Sequence, residues 1–377
     1  MRKHVLSLLA LLATIPSVAQ ITADGYYRVK NYTTNRYLTV VDNKTKGIDH
    51  VTTTADLLAI NTIRSWEKIE SNPASVIYIE KKSDEEYNVK AQGCDAYAMF
   101  GRYLCLAQLN GYPSIYKAYQ TESGTTVFLS DEIGDWDEGY LNTTEKRAQN
   151  WVVTLVDKNS ENYFGIKPTI VANSKHYASF FASFPFKAST EGMKVFYISK
   201  VDYKRGVAVA KEIAGDVVPA STPLIVECPA AGASENKVDL VASSTKVPTD
   251  NLLTGVYFNY AENTFHTNRV KYEPQTMRVL GECVDGRLGF VTKQDLSYIP
   301  ANTCYLSVDA TCPSELAVLT EKEYADLVAT GIDGIAADSG EEQPIYTVNG
   351  KMVGGKAATT EALPRGIYVT RGKKFIK

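Results

Sequence analysis

Tyr27-Arg28-Val29-Lys30-Asn31 leads after a few residues to Asn35-Arg36-Tyr37-Leu38, and the same cadence returns twice. Tyr87-Asn88-Val89-Lys90 precedes Gly101-Arg102-Tyr103-Leu104, and Val127-Phe128-Leu129 precedes Glu138-Gly139-Tyr140-Leu141. Each copy is an alternating, strand-like segment, a polar turn and a second strand opening on Tyr-Leu. Three hairpins of one design predict pseudo-threefold symmetry, which can close an all-β core without leaving free sheet edges.

The rest of the composition fits that reading. A chain of 377 residues that is 44% hydrophobic and 22% charged is long enough for two or three domains with cores of their own. Tyrosine is unusually frequent at 24 positions, and amphipathic helical runs are scarce, a balance that favours pleated structure. Thirteen of those tyrosines and all three tryptophans lie between Tyr26 and Tyr163, where most read as core or cross-strand partners and only the loop aromatics Tyr112 and Trp136 as ligand candidates.

Met1-Arg2-Lys3-His4, the apolar run Val5 to Ile15 and Pro16-Ser17-Val18-Ala19 read as a secretory signal cleaved between Ala19 and Gln20. The apolar run is too short to span a bilayer, and the residue after the cut is not the cysteine of a lipid-anchored product. No later segment reads as a transmembrane helix. Export would put Cys94, Cys105, Cys228, Cys283, Cys304 and Cys312 in an oxidising setting. The even count fits three disulfides, with Cys94–Cys105 and Cys304–Cys312 close enough to form local loops; buried thiols are the competing reading.

Five segments follow: a signal peptide (1–19), a first β-domain (20–162), a β-sandwich (163–320), a linker (321–344) and a small β tail (345–377). In the second domain Val218-Pro219-Ala220-Ser221-Thr222-Pro223-Leu224-Ile225-Val226 recurs as Ile299-Pro300-Ala301-Asn302-Thr303-Cys304-Tyr305-Leu306, each copy after a hydrophobic strand. Proline suits the start of a strand but not its middle, and Val284-Asp285-Gly286-Arg287 is a strong hairpin signal. Glu321 to Val328 is compatible with a turn or two of helix before a Gly- and Asp-rich stretch. The tail pairs Ile345–Val348 with Lys351–Val353 through Asn349-Gly350. It carries seven Lys or Arg against one Glu, a net +6, leaving the rest of the processed chain at −11.

Two resemblances rest on these residues. Gln149-Asn150-Trp151 after a Tyr-Leu strand resembles the ricin-type β-trefoil family, whose three repeats each carry such a buried aromatic. Trp66 stands as the first-repeat counterpart and Tyr116 as the middle one. The tail, with Gly366-Ile367-Tyr368-Val369, Asn349-Gly350-Lys351 and its closing lysine-rich strand, resembles the C-terminal sorting domain of type IX secretion substrates. The doubled Pro-Ala motif is similar to modules of secreted proteins from Bacteroidetes-type bacteria. These likenesses imply a β-trefoil-like N-terminal domain, passage through the outer membrane with the type IX machinery as partner, and a secreted or surface-attached product.

Catalytic signatures are missing from the sequence: no Gly-x-Ser-x-Gly elbow, His-Glu-x-x-His pair or phosphate-binding glycine loop occurs. His50, His176 and His266 are scattered, which with the absent Cys-x-x-Cys argues against a metal centre. The richest polar cluster is Asp131-Glu132-Ile133-Gly134-Asp135-Trp136-Asp137-Glu138-Gly139. Carboxylates can accept hydrogen bonds from sugar hydroxyls while an indole face stacks on the ring, so Asp135, Trp136, Asp137 and the loop residue Tyr112 are the ligand candidates, with calcium the cation such a cluster would take. The competing reading is a solvated hairpin loop whose tryptophan folds back onto the barrel. An acidic body with its basic residues gathered in the tail disfavours nucleic acid. The expectation is a non-enzymatic binding protein for an extracellular glycan or protein. A protease inhibitor presenting the loop Asp42–Ile63, and a hydrolase using two carboxylates or a Cys/His pair, are the alternatives.

Overall fold

The computed structural model describes residues 21, 23–40, 60–83, 86–93, 104–109, 112–117, 128–257, 270–329, 345–347, 349–354, 367–370 and 373–376. The protein is all-β in class, built of large, mostly antiparallel sheets. Among the described residues no helix is long and apolar enough to cross a membrane.

The first domain carries β1 (Gly25–Asn31), β2 (Tyr37–Val40), β3 (Ile60–Ile63), β4 (Ile77–Lys81), β5 (Glu86–Ala91), β6 (Leu104–Leu109), β7 (Tyr112–Lys117), β8 (Phe128–Asp131), β9 (Glu138–Asn142) and β10 (Trp151–Leu155). Hydrogen bonding runs β1-β2-β3-β9-β8-β7-β6-β5-β4, and β4 returns to β1, so the sheet closes on itself with β10 flanking β1. The three expected hairpins are present as β1/β2, β5/β6 and β8/β9. Period-two alternation supplies the interior. Tyr87, Val89 and Ala91 of β5 point inward, and the Leu38 and Leu141 of two Tyr-Leu pairs are fully buried while Tyr140 faces out. Tyr103 lies outside the described residues.

One expected equivalence fails. Trp151 opens β10 and is wholly buried in the core with Val29, Leu38 and Leu141. Trp66 instead sits in a 3-10 turn (Trp66–Lys68), half-buried against Tyr37 and Tyr163. A second 3-10 turn, Pro73–Ser75, precedes β4 just as Lys146–Ala148 precedes β10, so Ile77 occupies the place that Trp151 has in the last repeat. Tyr116 is buried on β7 against Phe128.

From Phe164 onward the strands belong to other sheets. Lys194–Asp202 and Val207–Glu212 form a hairpin to which Leu224–Cys228 adds as a third strand. Met277–Glu282, Leu288–Val291 and Thr303–Ser307 repeat that order. The doubled Pro-Ala motif is therefore a duplicated unit, and its Ser221 and Asn302 adopt the same left-handed backbone, φ 57° and 55°. The two units join where Val207–Glu212 runs parallel to Glu315–Thr320, which pairs in turn with Leu288–Val291. Residues from both, among them Ile198, Ile225, Leu280 and Phe290, share one apolar interior. The hairpin at Asp285-Gly286 forms as expected, and the helix Glu321–Ala329 docks through Tyr324, whose hydroxyl donates to Asp202 at 2.9 Å. The tail is a four-stranded antiparallel sheet turning at Asn349-Gly350, with Ile345 and Tyr368 buried.

The two domains share a seam. Tyr26 and Val76 of the first pack with Phe164, Phe180 and Phe184 of the second, so β1 is covered on both faces. Arg28, only 1% exposed, lies in that seam. Its guanidinium donates to Ser75 Oγ (3.0 Å), Asn162 Oδ1 (3.1 Å) and the carbonyls of Tyr163 (2.6 Å), Ile69 (3.1 Å) and Glu70 (3.3 Å), and it stacks 4.9 Å from the Trp66 ring. Burial pulls its pKa down to about 10, which leaves it charged at neutral pH. Gln92 makes a second tie: its side-chain oxygen accepts from Ser183 N and its carbonyl from Ser183 Oγ.

The disulfide expectation is corrected where it can be read. Cys228, Cys283, Cys304 and Cys312 are buried free thiols. Cys304 and Cys312 both enter the shared interior of the second domain, where Cys304 meets Ser179 Oγ and the Leu224 carbonyl instead of another sulfur. A core of this size holds without staples, and thiols pack in it as small apolar groups. Cys94 lies outside the described residues, as does the side chain of Cys105.

Two outcomes are expected. Arg28→Ala strands five acceptors in a dry seam and should lower the unfolding free energy by at least about 3 kcal/mol in denaturant titration. Iodoacetamide should leave Cys228, Cys283, Cys304 and Cys312 unmodified in the native chain and label all four after unfolding, as read by peptide mass spectrometry.

Candidate functional site

The acidic cluster forms the β8–β9 hairpin loop, and the β2/β3 hairpin next to it holds it in place. Asp131 ends β8 fully buried. It pairs with the equally buried Arg36 at 2.9 Å and also accepts hydrogen bonds from the hydroxyls of Thr34 and Thr62. Arg36 then donates to the carbonyls of Glu132 and Trp136, and its guanidinium carbon lies 5.6 Å from the Trp136 ring centre. Arg64, just past β3, donates to the carbonyls of Gly134 (3.3 Å) and Asp135 (3.2 Å). Two arginines thus bind four of the loop's backbone oxygens.

The glycines are required by close approach. A Cβ on Gly134 would sit 2.0 Å from the Trp136 ring, and one on Gly139 would sit 2.6 Å from the Arg36 guanidinium. The indole therefore rests on the bare backbone at Gly134 and beside Arg36, and it still leaves 47% of its surface exposed.

The carboxylates divide into two groups. Asp137 accepts from Ser65 N at 2.8 Å and pairs with Lys68 at 2.9 Å, and Glu138 also pairs with Lys68 at 2.9 Å. The hydrogen bond from the Lys68 ammonium holds the Asp137 carboxyl below its usual range. Asp135 is exposed beside Trp136. Tyr112 does not belong to this loop: it packs on Tyr32 at 5.5 Å, whereas Trp136 packs on Arg36, so the four expected ligand residues divide between two places.

Other chemistry finds little support in the geometry. Among the described residues no three His, Cys, Asp or Glu side chains converge as a metal set, so the loop's carboxylates do not form a calcium cage. Burial pushes the thiols of Cys228 and Cys283 up to about 12 and that of Cys304 to about 11, which removes the thiolate a nucleophile needs. His176 is half-exposed on the strand Lys175–Phe180; His50, His266 and residues 42–59 of the Asp42–Ile63 loop lie outside the described residues. The acidic loop itself was legible in the sequence. The arginines that shape it were not, although Arg recurs before Tyr-Leu in two of the three echoes.

No protein-family model, curated protein or solved structure matches the chain.

Asp131→Ala should cost about 3–5 kcal/mol in unfolding free energy, because it leaves the Arg36 charge buried without its partner. Lys68→Ala should cost under about 1 kcal/mol, since that pair is half-exposed and screened by solvent. The small share that Asp137 contributes is present above the ordinary carboxylate range and is lost as pH falls through its lowered folded value. Denaturant titrations of both variants at neutral and acid pH check all three statements.

Proposed function

We propose that the protein is an exported, non-enzymatic binding protein that takes an extracellular glycan at the Trp136 loop of a β-trefoil-like first domain. The observation that carries this reading is the half-exposed indole held on Gly134 and Arg36, with the exposed Asp135 beside it. An aromatic face fixed before binding can stack on the apolar face of a sugar without first paying to order a loop, and a neighbouring carboxylate accepts the ring hydroxyls. The closed circuit with its three hairpins supports the trefoil reading. Asp137 serves the site by bracing the loop through Ser65 and Lys68, and Tyr112 with Tyr32 forms a separate aromatic patch.

The N-terminal segment ending at Ala19-Gln20 and the basic tail support a secreted or surface-attached location. In this reading residues 345–377 are the signal read by a type IX-like secretion machinery. The small buried core of the tail, Ile345 and Tyr368, is compatible with a segment recognised apart from the body.

Glycan-array screening of the mature full chain should return a defined set of glycans, and Trp136→Ala should abolish that binding while the circular dichroism spectrum of the folded chain stays unchanged. Absence of binding to every glycan, with or without calcium, would remove the lectin reading. Inhibition of a protease panel in that case would turn the assignment to the protein-binding alternative.

A further inference from the structure

A recess lies in the other domain, beside the parallel pair that joins the two duplicated units. Its volume is about 340 Å³, within the range of small-molecule sites. Phe196, Ala210 and Ile225 line it from the first unit, and Leu288 with Val318 and Leu319 from the second unit and the joining strand. Ile225, Ala210 and Leu288 are 1%, 4% and 7% exposed and belong to the shared apolar interior, so the floor is core and not a surface dimple.

Two hairpin turns meet at the mouth, contributing Asn173 and Arg287 to its lining. Asn173 and Ser174 both take left-handed backbone (φ 48° and 61°), as a two-residue hairpin turn requires. Asn173 N donates to the Gly286 carbonyl at 3.0 Å, which ties this turn to the Asp285-Gly286 turn across the rim.

The cations at the rim are each paired with a carboxylate, and the further carboxylate, Glu323, is exposed to solvent. Lys175 and Tyr177 both donate to Glu227, at 2.8 and 3.2 Å. Arg287 pairs with Asp285 at 2.5 Å, and Glu323 accepts from Thr320 N at 2.8 Å. An anionic group would lose water here and meet only cations already paired, and an ammonium would meet only the solvent-screened Glu323, which is costly; a hydroxyl can share the neutral side chains of Asn173 and Thr320.

We propose that this recess binds an uncharged amphiphile, its alkyl or aryl body seated between the two units and its hydroxyl-bearing head at the mouth. The site is independent of the Trp136 loop and stands or falls apart from it.

The test is calorimetric titration of the mature full chain with 1-octanol, octanoate and octylammonium as probes. Octanol should bind one to one, and both ions at least about tenfold more weakly. Val318→Trp, at a half-buried wall position, and Ala210→Phe should each reduce octanol affinity at least about tenfold, whereas Trp136→Ala should leave it unchanged. Methyl NMR spectra of the unaltered protein give a readout that needs no variant to fold: the Ile225, Leu288 and Val318 methyls should shift on octanol addition. No octanol binding, equal binding of the ions, or methyl shifts confined to other parts of the chain would overturn the proposal.

Discussion

Burial of the Arg28 guanidinium is the constraint on which the arrangement of the two domains rests. A charge taken out of water is tolerated when every donor finds an acceptor, and here the acceptors come from separated stretches: Ser75, Asn162, Tyr163, Ile69 and Glu70. Those groups converge only if β1, the turn at Pro73–Ser75 and the connection into the second domain are all in place. The aromatic packing of Tyr26 against Phe184 and the Gln92–Ser183 bonds then seal the same seam. Apolar burial drives the association, while the arginine makes it specific, because a shifted docking would leave its donors without partners.

The same device recurs on a smaller scale at the candidate site. Arg36 is satisfied by one carboxylate and two loop carbonyls, and this turns a polar hairpin loop into a fixed one. Loop rigidity here comes from a cation binding backbone oxygens and not from regular structure. The indole is consequently presented half-bare at little further entropic cost. Lys68 and its two carboxylates brace the loop at the solvent side, where screening keeps their contribution small.

The second domain follows from duplication. Two copies of a three-stranded unit, each with a left-handed residue after Pro-Ala, share one interior. The turns at Ser221 and Asn302 clamp one segment between them: Ser221 N donates to the Ala182 carbonyl and Phe181 N to that of Asn302. The units are held together there and along the parallel pair, and the recess lies against that pair, lined by residues of both units. Its floor is made of core residues, so the shape of the floor depends on how the copies pair.

Much of the architecture was legible in sequence because it rests on short-range rules. Period-two alternation marks Tyr87, Val89 and Ala91 as one face of a strand, Asp285-Gly286 and Asn349-Gly350 name their hairpins, and the Pro-Ala echo announces the duplication. Trp66 misled, because an aromatic at a similar sequence distance ended up in a 3-10 turn at the seam while Ile77 took the equivalent strand position. The local disulfide at Cys304 and Cys312 was a sound inference from spacing, overturned by a core large enough to bury thiols. For the site, the sequence exposed the acidic loop and Trp136, but it read Tyr112 as a loop aromatic where the residue opens β7 and packs on Tyr32, and it gave no sign that Asp137 would be engaged by Ser65 and Lys68.

The amino-acid sequence by itself thus determined the strands, the turns and the repeats, since each depends on residues within a hairpin's reach. Only the tertiary structure decided that Arg28 and Arg36 would be interior charges, that β1 would be covered on both faces, and that one tryptophan would be held half-open. Those outcomes depend on partners distant in sequence, up to 135 residues away for Arg28 and 95 for the Arg36–Asp131 pair, and no local pattern records which distant groups will meet.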